Sequence, residues 1–167
     1  QRAINFIATA QHKDRGGWRY APGVGADTSV SGWMTMALES GKRAGLDVQS
    51  DTYANITRWL DASQASANER YLYRYNPWAA DSPQQRHGRA TSKTMTAVGL
   101  LMRLYSGWKP DHPDFVRGSD YLAANPPGYG TLNDRQRDTY YWYYATQVML
   151  QRGGERWETW REQLFPL

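Results

Sequence analysis

Two aspartates stand where a lone carboxylate could act on a ligand: Asp27 in GADTS and Asp138 in RDTYYWYY. Each opens an apolar-periodic run, so each also reads as a helix N-cap, its oxygens accepting backbone N–H groups that a first turn leaves unpaired. Capping and a ligand-facing role can coexist. Other chemistries find less material. The chain has no cysteine, which removes thiolate metal sites, disulfides and Cys nucleophiles. His12, His87 and His112 fall in separate loops without HxxxH or HxH spacing, so no metal site is expected. No P-loop, GxGxxG or GxSxG segment occurs, which leaves nucleotide binding and the common serine-hydrolase route without support, and no cofactor is implied.

Aromatic residues carry the remaining chemical potential. They make up 14% of the chain, and five stand consecutively at Tyr140, Tyr141, Trp142, Tyr143 and Tyr144. A helix spreads consecutive positions around its circumference, so these five cannot all face a core. They pack tightly with hydroxyls finding partners, or they line an inner wall of the kind used for carbocations and stacked sugars. A second group is DRGGWRYAPG, residues 14–23, where a glycine turn bears Trp18, Arg19 and Tyr20. Those side chains lock the turn onto neighbouring helices or line a ligand's way in. A third is the long segment 65–93, in which YLYRYNPW suggests a short hairpin or a stacking platform. Between Arg70 and Lys93 it holds Arg70, Arg74, Arg86, Arg89 and Lys93 against Asp81 alone, so five positive charges less one equal the net charge of +4. That makes a local basic loop, either solvated or an anion patch; no recognised nucleic-acid motif accompanies it, and nucleic acid is not an expected partner.

Helices must position these groups. Val30, Trp33, Met34, Ala37 and Leu38 follow the i, i+3, i+4, i+7, i+8 pattern, and Tyr141, Tyr144, Ala145, Val148 and Met149 repeat it. Shorter stripes open near Ile4, Tyr53, Met95 and Phe115, and Trp157, Trp160 and Leu164 mark a last helix over 155–164. Gly41, Gly107 and Gly153 read as stops, and Pro113 suits a first turn. No alternating strand pattern and no membrane-length apolar run appears. The reading is all-α, one domain over 1–167. The helices fall into pairs: the first members carry Phe6-Ile7, Trp59-Leu60 and Tyr121-Leu122, and the second members open at DTSVSGW, ATSKTM and DTYYWYY. Three hairpins at spacings of about 50–60 residues form a repeat array.

The first copy runs Arg2-Ala3, two residues, Phe6-Ile7, three residues, Gln11, then Gly17-Trp18. This resembles the QW repeat of squalene and hopene cyclases, with one extra residue before the glycines. Arg117-Gly118-Ser119-Asp120-Tyr121-Leu122 resembles its front half, and Trp59-Leu60 with Gln64 a remnant. The resemblance is to the prenyltransferase/squalene-cyclase repeat superfamily. It implies an α/α toroid of inner and outer helices, here a half-ring or arc of three hairpins plus a C-terminal helix. It also implies that Gln11, Gly17 and Trp18 are structural, tying one repeat to the next. The superfamily's cyclases protonate substrate from an Asp-x-Asp-Asp motif, which this chain lacks, and its zinc and thioester enzymes need a Cys.

The expected function is therefore a non-catalytic ligand-binding or protein-interaction domain on that scaffold, with Tyr20, Asp27, Thr28, Arg89, Thr91, Asp138 and Tyr140 at its binding face. Its partner would be an apolar or carbohydrate small ligand, or other segments of the parent protein. Enzymatic alternatives remain: a partial cyclase-like site completed elsewhere, or a polysaccharide lyase of the α/α-toroid kind using Arg19, Arg89 or Lys93 as base. A chain that begins at Gln1, inside a helix pattern, reads as a piece of a longer protein, which leaves its compartment open.

Overall fold

Among the described residues, four of the seven α-helices begin at a side chain that caps them. In the computed structural model, which describes residues 1–130 and 137–167, the helices are α1 (Arg2–Thr9), α2 (Thr28–Arg43), α3 (Ser50–Ser63), α4 (Lys93–Tyr105), α5 (Pro113–Ala123), α6 (Thr139–Arg152) and α7 (Gly154–Leu164). Asp27, Ser92 and Asp138 each accept the backbone N–H three residues on, at the starts of α2, α4 and α6. The side chain of His112 does the same for Asp114 ahead of Pro113 and α5. The fold is all-α. Among the described residues the extended backbone amounts to isolated bridges such as Trp18 with Asp27 and Gln64 with Tyr73.

The three Asp- or Ser-capped helices pack side by side. α4 lies between α2 and α6, while α3 backs α2 and α4, α5 backs α4 and α6, and α7 closes on α5 and α6. α1 packs on α2 alone among the larger helix contacts. Enclosed in this way, α4 buries nine consecutive residues, Met95 to Arg103, which an amphipathic surface helix cannot do. Trp59, Leu60, Phe115, Leu122, Tyr141, Val148 and Trp160 complete a single core around it.

Two details depart from the sequence reading. Gly41 does not stop α2; it is buried inside the helix, where an added Cβ would come within 2.5 Å of Ile4. The chain turns at Gly45, whose φ of +77° suits glycine. The apolar stripe of α2 is also not its most buried face. Thr28, Ser31, Gly32, Thr35 and Leu38 are buried, whereas Trp33 is exposed. Small residues let α2 approach α4 closely: a Cβ on Gly32 would meet Val98 at 2.5 Å.

The turn after α1 is fastened from two sides. Trp18 is buried and its indole N–H donates to the Ile7 carbonyl at 2.8 Å, a group α1 leaves unpaired. Gln11 Nε2 donates to the carbonyls of Gly16 and Thr52, and its Oε1 accepts from Asn55, which joins α1 to the first turns of α3. The long segment after α3 is pinned as well. Tyr73 is fully buried, the Arg74 guanidinium donates to the carbonyls of Gln64 and Ala65, and the carbonyls of Arg74 and Tyr75 accept from Thr28 at the start of α2.

Candidate functional site

The capping aspartates meet at one end of the α2–α4–α6 row. Asp27 is fully buried: Oδ1 accepts the Val30 N–H at 2.8 Å, while Oδ2 lies 3.6 Å from Arg19 Nε without a hydrogen-bond partner. Asp138 accepts from the Tyr141 N–H through Oδ1 at 2.9 Å and from the Thr94 hydroxyl through Oδ2 at 2.8 Å, linking α6 to α4. Tyr140 links α6 to α2, its hydroxyl 2.9 Å from Ser29 Oγ. Burial raises the pKa of Tyr140; the nearby carboxylates of Asp27 and Asp138 add to that, against hydrogen bonds with Ser29 and Tyr144. Burial, then Asp27, likewise pushes the Tyr75 hydroxyl up. These hydroxyls are neutral hydrogen-bonding groups at ordinary pH.

Asp27, Asp138 and Tyr140 thus converge. The other residues expected at this face are placed differently. Thr28 is buried and faces the segment after α3, its hydroxyl donating to Arg74 O at 2.6 Å and accepting from the Trp59 indole. Arg89 donates to Ala79 O, and Thr91 is exposed in a bridge with Arg74. Tyr20 is 84% exposed and flanks Tyr75. The basic loop also divides: Arg74 and Arg89 bind carbonyls and Lys93 sits 4.9 Å over the Tyr141 ring, while Arg70 and Arg86 are exposed.

Farther along the same helices the aromatic run of α6 meets Trp33, which the sequence did not single out for binding. Trp33 of α2 stacks on Tyr143 of α6, ring centres 5.7 Å apart and planes at 21°, and meets Tyr144 edge-on at 5.6 Å and Tyr140 at 6.1 Å. Trp33 and Tyr143 remain 44% and 45% exposed, so the pair presents an open aromatic surface. The run of five aromatics therefore splits: Tyr141 and Tyr144 enter the core, Tyr140 and Trp142 are half-buried, and Tyr143 faces outward. Beyond Tyr143 opens a cleft of about 310 Å³ lined by Glu39, Arg43, Tyr105, Trp108, Gln147 and Gln151, among others. Glu39 pairs with Arg43 at 2.9 Å and accepts from the Tyr53 hydroxyl at 3.2 Å. Burial, then that carboxylate, push Tyr53 up to about 12.

Among the described residues no group of three His, Cys, Asp or Glu is placed to hold a metal ion, and no helix is long and apolar enough to cross a membrane. The arrangement offers stacking surface and hydrogen bonds; the two aspartates that could act as acids are both committed to helix starts. The chain matches no protein-family model, no curated protein and no solved structure.

Proposed function

We propose that this chain is a non-catalytic binding module: an arc of an α/α toroid, related to the cyclase-repeat superfamily, that takes a small ligand on the inner face of α2, α4 and α6. One observation carries the reading. Trp33 and Tyr143 stack yet stay open to solvent beside a polar cleft, an arrangement of apolar wall and convergent polar groups that suits ligand sites. The alternation of an inner row with backing helices supports the toroid, and the ties made by Gln11 and Trp18 support their structural role. Thermal unfolding of the wild type and of Tyr143→Ala, each with short oligosaccharides or isoprenoid alcohols, tests it. A ligand-dependent rise in Tm in the wild type that the variant loses is the expected result. Absence of any such rise, or turnover of a polyprenyl or pectate substrate that Asp27→Asn abolishes, overturns it.

The enzymatic reading draws on one feature, the buried Oδ2 of Asp27, which has no hydrogen-bond partner and lies 3.6 Å from Arg19 Nε. Arg19, Arg89 and Lys93, the candidate lyase bases, are each engaged with a different partner: a carboxylate, a carbonyl and a ring. That dispersal favours the binding reading.

A further inference from the structure

We infer that the ligand is a neutral oligosaccharide lying along α2 and α6, with a sugar ring on the Trp33–Tyr143 surface and the next rings in the Glu39–Arg43–Gln147 cleft. The inference rests on the binding reading above and names the class of ligand.

Continuity comes first. Tyr140, Tyr143, Tyr144, Gln147 and Gln151 recur at i, i+3, i+4, i+7 and i+11, so they form one stripe of α6. Trp33 touches its upper members and the cleft includes its lower ones. Tyr105 bridges the two parts: its hydroxyl donates toward Gln147 Oε1 at 3.5 Å, and it lies close enough to Tyr143 for the two phenols to interact. From Tyr140 to Gln151 the stripe rises ~16 Å, about the length of three linked pyranoses.

Chemistry then selects the class. A hydrocarbon chain would find Leu101, Leu104, Pro110 and Leu150 in this cleft, but it would also cover the Glu39–Arg43 pair and the heads of Gln147 and Gln151 and strip them of water, which is costly. A polyol offers each of them a donor and an acceptor. The outward faces of Trp33 and Tyr143 provide what the apolar face of a pyranose stacks on.

Charge narrows it further. Glu39 and Arg43 form an ion pair with each other, so the cleft lining carries no net charge. The adjoining hollow of about 500 Å³, lined by Tyr53 and Tyr105, holds one cation, Lys42, whose ammonium lies 5.2 Å from the centre of the Tyr53 ring, and one anion, Asp47. A uronate chain would find no unpaired cation in the cleft. A neutral chain meets no such penalty.

The test is isothermal titration of the whole chain with the hexaoses of cellulose, starch, xylan and mannan, with hexagalacturonate and solubilised farnesol as contrasting probes. At least one neutral hexaose should bind. Tyr143→Ala should weaken it about tenfold, and Gln147→Ala by about threefold to tenfold, the loss of one stacked ring and of one hydrogen bond. Tyr143→Phe should stay within about threefold, because it keeps the ring. Circular dichroism identifies a variant that has lost its fold, in which case Gln147→Ala on the exposed side of α6 decides. Neutral binding unchanged in both Tyr143→Ala and Gln147→Ala overturns the placement. Binding of farnesol or galacturonate but of no neutral sugar overturns the saccharide class and leaves the binding module standing; binding of none of the probes overturns both.

Discussion

Replacing Arg103 with methionine keeps a long side chain in place and removes a buried guanidinium. Arg103 is 3% exposed on α4. Its Nε donates to the Tyr73 hydroxyl at 3.1 Å, its Nη2 reaches Asp61 of α3, and the guanidinium lies 4.9 Å from the Trp108 ring centre. The two polar contacts are unequal. The Asp61 side chain is 56% exposed, so solvent screens that pair and it contributes about 0.5–1 kcal/mol. Tyr73 is fully buried, and a charge-assisted bond to its hydroxyl contributes about 1.5–2 kcal/mol. Gln64 also donates to that oxygen, at 3.3 Å, and softens the loss. Removing a desolvated charge returns part of the total, which leaves about 2 kcal/mol of net destabilisation for Arg103→Met. Asp61→Asn should cost about 0.5 kcal/mol, and Tyr73→Phe about 1–2 kcal/mol because two donors lose their acceptor. Urea unfolding followed by Trp fluorescence reads all three; at a slope of about 2 kcal/mol per molar, Arg103→Met moves the midpoint down by about 1 M. A double-mutant cycle of Arg103→Met with Tyr73→Phe should return a coupling of at least about 1 kcal/mol. Asp61→Asn costing as much as Arg103→Met, or a coupling below about 0.3 kcal/mol, would refute the argument that the buried hydroxyl holds Arg103 in place.

Two further outcomes are expected. At the start of α2, Asp27→Asn should change stability by less than about 0.5 kcal/mol, since an amide oxygen caps as well, whereas Asp27→Ala should lose about 1–2 kcal/mol; equal losses in urea unfolding would show that the charge, not the cap, matters. Tyr53 titrates near pH 10 unfolded and is raised to about 12 in the fold, so its stabilising contribution is complete below pH 10 and disappears as pH rises through about 12. The phenolate absorbance difference between wild type and Tyr53→Phe should therefore midpoint near pH 12, and Glu39→Gln should bring it down.

Much of the scaffold was legible because its signals are local. Asp27, Asp138 and Pro113 mark helix starts whatever surrounds them, for a first turn must satisfy its own N–H groups within a few residues. The candidate face was legible only in part. Asp27, Asp138 and Tyr140 come to one end because they sit at or next to the starts of α2 and α6, the helices that flank α4, which repeat spacing anticipates. Arg89 and Thr91 stand at the corresponding place before α4, yet they belong to the long segment, whose path is set by Tyr73 filling the core over Gly99. No pattern within residues 65–93 announces that path.

Taken alone, then, the sequence determined the all-α class, the pairing of helices and the caps at Asp27 and Asp138, since hydrophobic period and capping act over one or two turns. Tertiary structure decided which side of each helix is covered. Periodicity placed Trp33 in the stripe of α2, but packing at Gly32 against Val98 turned the small residues inward and left Trp33 to meet Tyr143. Ser29 and Tyr140 share a hydrogen bond across 111 residues of chain. Such contacts depend on how closely helix backbones approach, a property of pairs of surfaces, and no single stretch of sequence contains it.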